Sequence, residues 1–132
     1  MTYKFVLTIS VLTAMSSLSG GSTGAQTPHL GSRFLSIEEI QVLVSGNVRR
    51  AADPRGQTLT EEYGATGLMV GRSPAGSDQG RWRAVRGPRG SATLCTRYNV
   101  WDDGRELCTE IMVGTDSVPR WPNGAVVGLQ RY

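Results

Sequence analysis

Histidine occurs once in this 132-residue chain, at His29, cysteine twice, at Cys95 and Cys108, and only one stretch, Phe5 to Met15, is apolar over any length. Each scarcity removes a class of chemistry. A Ser-His-acid relay needs a histidine held in folded structure, and His29 lies in a segment with neither helical nor strand periodicity. A zinc or haem site needs more soft ligands than two separated cysteines and one remote histidine, and no Cys-x-x-Cys pair is present. The expectation is no metal and no cofactor. An apolar core of 11 residues is far short of the roughly 20 that span a bilayer, so no stable membrane anchor is expected.

That short apolar core follows Lys4 and precedes a small-residue run ending in Thr23-Gly24-Ala25, the order of a secretory signal with cleavage between Ala25 and Gln26. Residues 1–25 are therefore read as a signal peptide, and the protein as periplasmic or secreted. Leu18-Ser19-Gly20-Gly21 has the layout of a lipoprotein signal, but Gly21 stands where the lipid-bearing cysteine belongs. With Lys4 removed, 13 arginines face 11 acidic residues. Such a balance is mildly basic, is screened within about 8 Å in physiological salt, and nominates no partner by charge alone. In an oxidising compartment two cysteines default to a disulfide, here Cys95 to Cys108.

Residues 26–34 read as a flexible lead-in and residues 35–132 as a single β-rich domain. Ser36-Ile37-Glu38-Glu39 is a capping box, with Leu35 and Ile40 placed for a hydrophobic staple, and it predicts a helix from Ile37 to Ser45 stopped by Gly46. A helix so short needs a larger partner for its Ile37, Ile40, Leu43, Val44 stripe. Beyond it, Gly and Pro recur about every 8 to 12 residues, the rhythm of short antiparallel strands. The strand candidates are Gln57 to Tyr63, Thr66 to Val70, Gly80 to Val85, Ala92 to Tyr98, Glu106 to Val113 and Ala125 to Arg131. The fold class is mainly β, a small antiparallel curved sheet or open barrel with one short N-terminal α-helix.

Alternation puts Trp82 and Ala84 on a core face and Arg81 and Arg83 opposite. Leu94, Thr96 and Tyr98 share one face, as do Leu107, Thr109, Ile111 and Val113, which places both cysteines on the more polar side. If Cys95 faces Cys108, Arg97 falls opposite Glu106, an opposite-charge pair supporting the same register. A two-residue turn at Asp103-Gly104 would forbid that bridge, so a wider loop over Val100 to Asp103 is expected.

Candidate sites are sparse. Gly71-Arg72-Ser73-Pro74-Ala75 lacks the closing glycine of a nucleophile elbow. Asp102, Asp103 and Glu106 match no EF-hand spacing and read as a solvated hairpin tip. Glu61 and Glu62, adjacent on a strand, point to opposite faces and read as a wet strand edge. Arg81, Arg83, Arg86 and Arg89 around Trp82 form a basic segment, and Trp121 sits on a breaker-rich loop. These four arginines and Trp121 are the candidate binding surface, set against two plainer readings: a solvated outer face, and a Trp121 that plugs one end of the sheet. Arginine forks engage phosphate and carboxylate, so in this compartment the partner would be an unknown protein or an anionic envelope ligand, with no nucleic acid expected.

The order Gly80-Arg81-Trp82-Arg83-Ala84-Val85, then Leu94-Cys95, then Cys108 resembles an uncharacterised family of small exported bacterial proteins, a domain of unknown function (DUF995-like). The likeness runs over roughly residues 35–113. It implies architecture and carries no activity or catalytic residue to this chain. With no nucleophile, base or metal set assembled by spacing, the expected function is a non-catalytic periplasmic binding or interaction module. The alternatives are an envelope-associated structural protein holding anionic polymer, and a small enzyme whose site only the fold assembles.

Overall fold

The computed structural model describes residues 31–131; the expected signal peptide, its cleavage site and His29 lie outside the described residues. Among the described residues ten strands form two antiparallel sheets, accompanied by one α-helix. Among the described residues no helix is long and apolar enough to cross a membrane.

Helix α1, Ile37–Val44, starts where the capping box places it: the Glu39 N–H donates to Ser36 Oγ at 3.1 Å and the Ser36 N–H donates to Glu39 Oε1 at 2.9 Å. Arg33 clamps the same carboxylate with two bonds of 2.8 and 2.7 Å. The helix ends as Gly46 takes a positive φ of 74°, the left-handed conformation that glycine adopts without a Cβ penalty. Ile40 and Val44 are fully buried and join Leu35 in the core. The stripe thus finds the partner that a helix of eight residues requires.

The partner is a seven-stranded sheet in the order β10-β2-β3-β4-β5-β6-β7. In chain order its strands are β2 (Asn47–Ala52), β3 (Thr58–Tyr63), β4 (Leu68–Ser73), β5 (Gly76–Arg86), β6 (Ala92–Tyr98), β7 (Glu106–Thr109) and β10 (Leu129–Arg131). β7 and β10 stand at the two ends of this order, so the sheet is open, not a closed barrel. Trp82, Ala84, Leu94, Tyr63 and Met69 are buried together with the helix stripe, which makes this the inner face. Tyr63 meets Trp82 edge to face at 6.3 Å, and the indole N–H donates to the Gly64 carbonyl at 2.8 Å. Trp82 is thus the core aromatic that alternation predicts.

A second sheet, β1-β8-β9, joins Arg33–Phe34, Met112–Val113 and Pro119–Arg120. It changes two expectations. Arg33 and Phe34 pair with Val113 and Met112, so ordered structure reaches into the expected lead-in. The single strand expected over Glu106 to Val113 is two: β7 stays in the large sheet, while β8 crosses to the small one. Between them Ile111 is fully buried and its carbonyl accepts from the Leu35 N–H at 2.8 Å. Burial of Ile111 between the sheets, rather than alternation along one strand, sets the break.

Strand β2 has no counterpart among the expected strands. Asn-Val-Arg-Arg-Ala-Ala has almost no β-branched or aromatic content, and its extended conformation is imposed by pairing to β3 on one side and β10 on the other. The Pro74-Ala75 segment is the tip of the β4–β5 hairpin, with Ser73 paired to Gly76, so Ser73 ends a strand at a hairpin turn and not at a strand-to-helix elbow.

Candidate functional site

Cys95 and Cys108 are bonded and directly opposite each other in the β6–β7 ladder, with Cα atoms 4.0 Å apart. The connection over residues 99–105 is the wide loop this register demands. It contains a 3₁₀ turn at Trp101–Gly104, in which Asp102 and Asp103 both adopt φ of 56°. The turn is pinned from the neighbouring strand: the Val100 and Trp101 N–H groups donate to Asp78 Oδ2 at 2.7 and 2.8 Å. Donation from Trp101, with Val100 and Gln79 adding to it, holds the Asp78 carboxyl below its usual range.

The arginines of the candidate surface lie on the outer face or at its end. Arg81 and Arg83 alternate with buried Trp82 and Ala84 and are exposed. Arg97 is indeed opposite Glu106 in register, but the ion pair forms elsewhere: Arg83 Nε and Nη2 donate to Glu106 at 2.9 and 2.7 Å. Arg97 instead faces Arg81 across the ladder. Arg86 donates to the Gly90 carbonyl at 2.6 Å, closing the turn that carries exposed Arg89. Trp121 is not part of this patch. It is half-buried on the inner side, where it packs against the core.

The inner side holds a cleft of about 840 Å³ whose lining comes from both halves of the sheet, β2 and β3 on one side and β6 and β7 on the other. Part of the inner face lies beneath α1; the cleft is the part the helix leaves open. Its centre is a polar cluster. Arg49 Nη2 donates to Glu61 Oε1 at 2.5 Å, and the Tyr63 hydroxyl donates to Glu61 Oε2 at 2.7 Å. Glu61 is only 5% exposed. The sequence reading of Glu61 and Glu62 as a wet strand edge is therefore corrected. They do point to opposite faces, but β3 is interior to the sheet; Glu62 pairs with Arg72 outside, and Glu61 is an internal carboxylate.

Tyr98 extends the cluster from β6. Its hydroxyl and Arg49 Nε are the two buried side-chain polar atoms among the described residues that have no hydrogen-bond partner. The Tyr98 ring lies 5.0 Å from the Trp101 ring, and the Arg49 guanidinium lies 5.3 Å from the Trp121 ring centre, a cation–π distance. Both indoles line the cleft, together with Leu59, Leu94 and Leu107. Gly71 makes room for this packing: a Cβ there would stand 2.5 Å from Trp101 and 2.6 Å from the Tyr98 hydroxyl.

Burial and then the Glu61 charge raise both Tyr63 and Tyr98 well above the usual tyrosine range. Burial works against the Arg49 charge, but Glu61 and Tyr63 outweigh it and Arg49 is raised as well. At neutral pH the cluster is one ion pair with two protonated phenols.

Spacing could not assemble Arg49, Glu61, Tyr63, Tyr98 and Trp101, because they come from four separate segments. The one available signal was Tyr98, which shares a strand face with Leu94. Cys95, Cys108 and Glu106 approach within ligand distance of one another, but the two sulfurs are spent on their mutual bond. The fold and this cleft define the class of protein: an open antiparallel sheet with a polar-centred, indole-walled cleft on its inner face. No family model, no curated protein and no solved structure matches the chain.

Proposed function

We propose that the protein is a non-catalytic binding module of the periplasm, and that its ligand sits in the inner cleft. The reading rests on one observation: the part of the inner face left open is a cleft of about 840 Å³ whose lining brings Trp101, Trp121 and three leucines around the Arg49–Glu61–Tyr63 cluster. Clefts of this volume, largely apolar with a few converging polar groups, are the usual seats of small ligands. The compartment is supported by the disulfide and by the signal-like N-terminal sequence.

The convergence of Glu61, Tyr63 and Tyr98 favours a second reading, an enzyme. Against it, both Glu61 oxygens are engaged, and the phenols are held protonated by burial beside a carboxylate. That leaves no free base or nucleophile in the cluster. The outer arginines support the anionic-polymer reading less, because Arg83 is already neutralised by Glu106.

The test is native mass spectrometry of protein purified from periplasm, with organic extraction of whatever it carries. A small molecule retained by the native chain and lost from Trp121→Ala is the expected result. A chain that leaves the periplasm empty, and that no envelope extract protects against heat, rules the reading out.

A further inference from the structure

The seven-stranded sheet ends in a strand whose outer edge is open. Among the described residues β7, Glu106–Thr109, pairs with β6 and with no other strand, and its first three residues are exposed. Proteins usually blunt such an edge with lysine, proline, a bulge or a covering segment. Glu106-Leu107-Cys108-Thr109 has neither lysine nor proline, and its register with β6 runs without a bulge.

Which backbone groups face outward follows from the ladder beside it. In an antiparallel pair, residues that exchange hydrogen bonds with their partner alternate with residues whose N–H and C=O point away from it. At the two ends of the β5–β6 ladder, the Asn99 N–H donates to the Gln79 carbonyl at 2.9 Å and the Gly87 N–H to the Ser91 carbonyl at 2.8 Å. The register between those ends is continuous, so alternate pairs are bonded and Arg83–Cys95 is one of them. The Cys95 N–H and C=O are therefore engaged with β5. Cys95–Cys108 is then a non-bonded pair of the β6–β7 ladder, in keeping with Cα atoms only 4.0 Å apart. Two residues along, Arg97–Glu106 is another. The N–H and C=O of both Glu106 and Cys108 thus point off the sheet, a row of donors and acceptors ready for a further strand.

Side chains and size set the occupant. Leu107 is on the inner face, is 50% exposed and lines the cleft, so an added strand meets apolar surface there. Glu106 and Cys108 are on the outer face. Glu106 already holds Arg83 through two bonds and Cys108 is neutral in its disulfide. The positions opposite them call for no charge, and an acidic residue there would stand against Glu106. An edge of four residues cannot by itself cover the roughly 800 Å² per partner that holds two folded chains together. It does suit an extended peptide, which binds by main-chain bonds and an anchoring side chain.

We infer that the β7 edge takes an extended, uncharged peptide segment of another protein as an added antiparallel strand, with an apolar side chain beside Leu107 and main-chain bonds to Glu106 and Cys108. This edge is a second site, and it does not depend on a small molecule in the cleft.

The probe is a synthetic peptide with a central valine between two threonines, extended by the same alternation and carrying a lysine beyond the paired stretch for solubility. It is titrated into the isotope-labelled, full processed chain and followed by amide NMR. The Glu106 and Cys108 amides should shift and exchange more slowly, while those of Leu107 and Thr109, already bonded to β6, change less. Methylating the threonine nitrogens that face Glu106 and Cys108 should abolish binding; methylating the valine nitrogen, which faces away, should not. Glu106→Pro removes one outward N–H and no ladder bond, and Arg105 before it already has the extended φ of −79° and ψ of 145° that a following proline requires. It should bind the peptide about tenfold more weakly than Glu106→Ala, which loses only the carboxylate. Trp121→Ala should bind it as the native chain does, so this inference and the cleft reading fail separately.

Equal binding of the two methylated peptides overturns the inference, as does a peptide that does not bind or that leaves the Glu106 and Cys108 amides unmoved. A native chain that self-associates, and no longer does so as Glu106→Pro, overturns it as well and gives the edge to a second copy.

Discussion

Glu61 and Glu62 are neighbours in sequence and opposites in environment, and the contrast between them is the contrast between the two faces of the sheet. Glu61 enters the inner face and is held by Arg49 and Tyr63. Glu62 enters the outer face and meets Arg72, whose side chain is 57% exposed. The outer face spreads its charges in water, where an ion pair is screened and adds little. The inner face concentrates a few polar groups in a poorly hydrated cleft, where each pairing matters and each missing pairing is a cost. Alternation along β3 separates the two residues; only the packing of α1 decides which side is dry.

The sharpest way to break that contrast is to remove one partner inside. Glu61→Ala leaves Arg49 without its counter-ion and Tyr63 without its acceptor. Stranding a largely buried charge costs about 3 to 5 kcal/mol, and the expected loss here is about 4, read by urea unfolding. The matching outer change, Glu106→Ala, deprives Arg83 of a partner that water replaces, and its unfolding midpoint should fall within the scatter of the native protein. Equal losses from the two variants would mean the inner cluster is as hydrated as the outer one.

The outer face has one strong element, the Cys95–Cys108 bond, which stands in the same cross-strand row as Arg83. A cross-link closing a loop of this length restricts the unfolded chain by about 3 kcal/mol. Cys108→Ser should cost about that much, and reduction of the native protein should cost the same. The loss should vanish when both cysteines are replaced and the variant is compared with the reduced chain. A Cys108→Ser protein that melts with the native one would show that this bond contributes nothing to the folded state.

Gly71→Ala probes the cleft without touching charge. The added methyl would meet Trp101 and the Tyr98 hydroxyl well inside contact distance. Overpacking of this kind costs about 1 to 3 kcal/mol, and the expected value is about 2, with a changed tryptophan emission as Trp101 is displaced. Gly114→Ala is the control for losing a glycine that is not at positive φ, because a Cβ there meets only ordinary contacts of 3.7 and 3.8 Å. Emission unchanged in Gly71→Ala would place Trp101 away from the cleft floor.

These sites also show what a linear reading reaches. The helix was legible because its start is written in four consecutive residues, Ser36 to Glu39, whose polar groups satisfy one another locally. The Cys95–Cys108 register was legible because a bridge, a loop length and a face assignment constrain each other. β2 was not legible: its residues carry no strand signature, and two neighbouring strands impose its conformation. The site shared that fate, since Arg49 lies on β2 and its partners Glu61 and Tyr63 on β3, in register only once those strands pair. Trp121 illustrates the middle case. An aromatic on a loop signals contact, but grouping it with the outer arginines required knowing which side of the sheet the loop folds onto, and it folds inward over Arg49.

Proton titration should reach the faces from opposite ends of the pH scale, and it is the mildest test of their difference. At an exposed site on α1, away from either face of the sheet, hydrogen bonds from Arg33, then from the Ser36 backbone, hold the Glu39 carboxyl at about 2 against an ordinary 4.5. A depressed carboxyl stabilises the fold fully above its unfolded value and loses that contribution as pH falls toward 2. Glu106 shifts the same way, chiefly through its hydrogen bond from Arg83. A gradual, salt-sensitive loss of stability is therefore expected between about pH 4.5 and 2, smaller in Glu39→Gln, which has no carboxyl left to titrate. Inside, Tyr63 and Tyr98 are raised by burial. A raised phenol stabilises the fold below its unfolded value near 10, and that contribution is lost as pH climbs through the folded value. Their phenolate absorbance should therefore appear only together with alkaline unfolding, unaffected by salt. Ionisation of both rings near pH 10 in the folded chain would mean that water already reaches the cleft centre, and the two faces would then differ in composition alone.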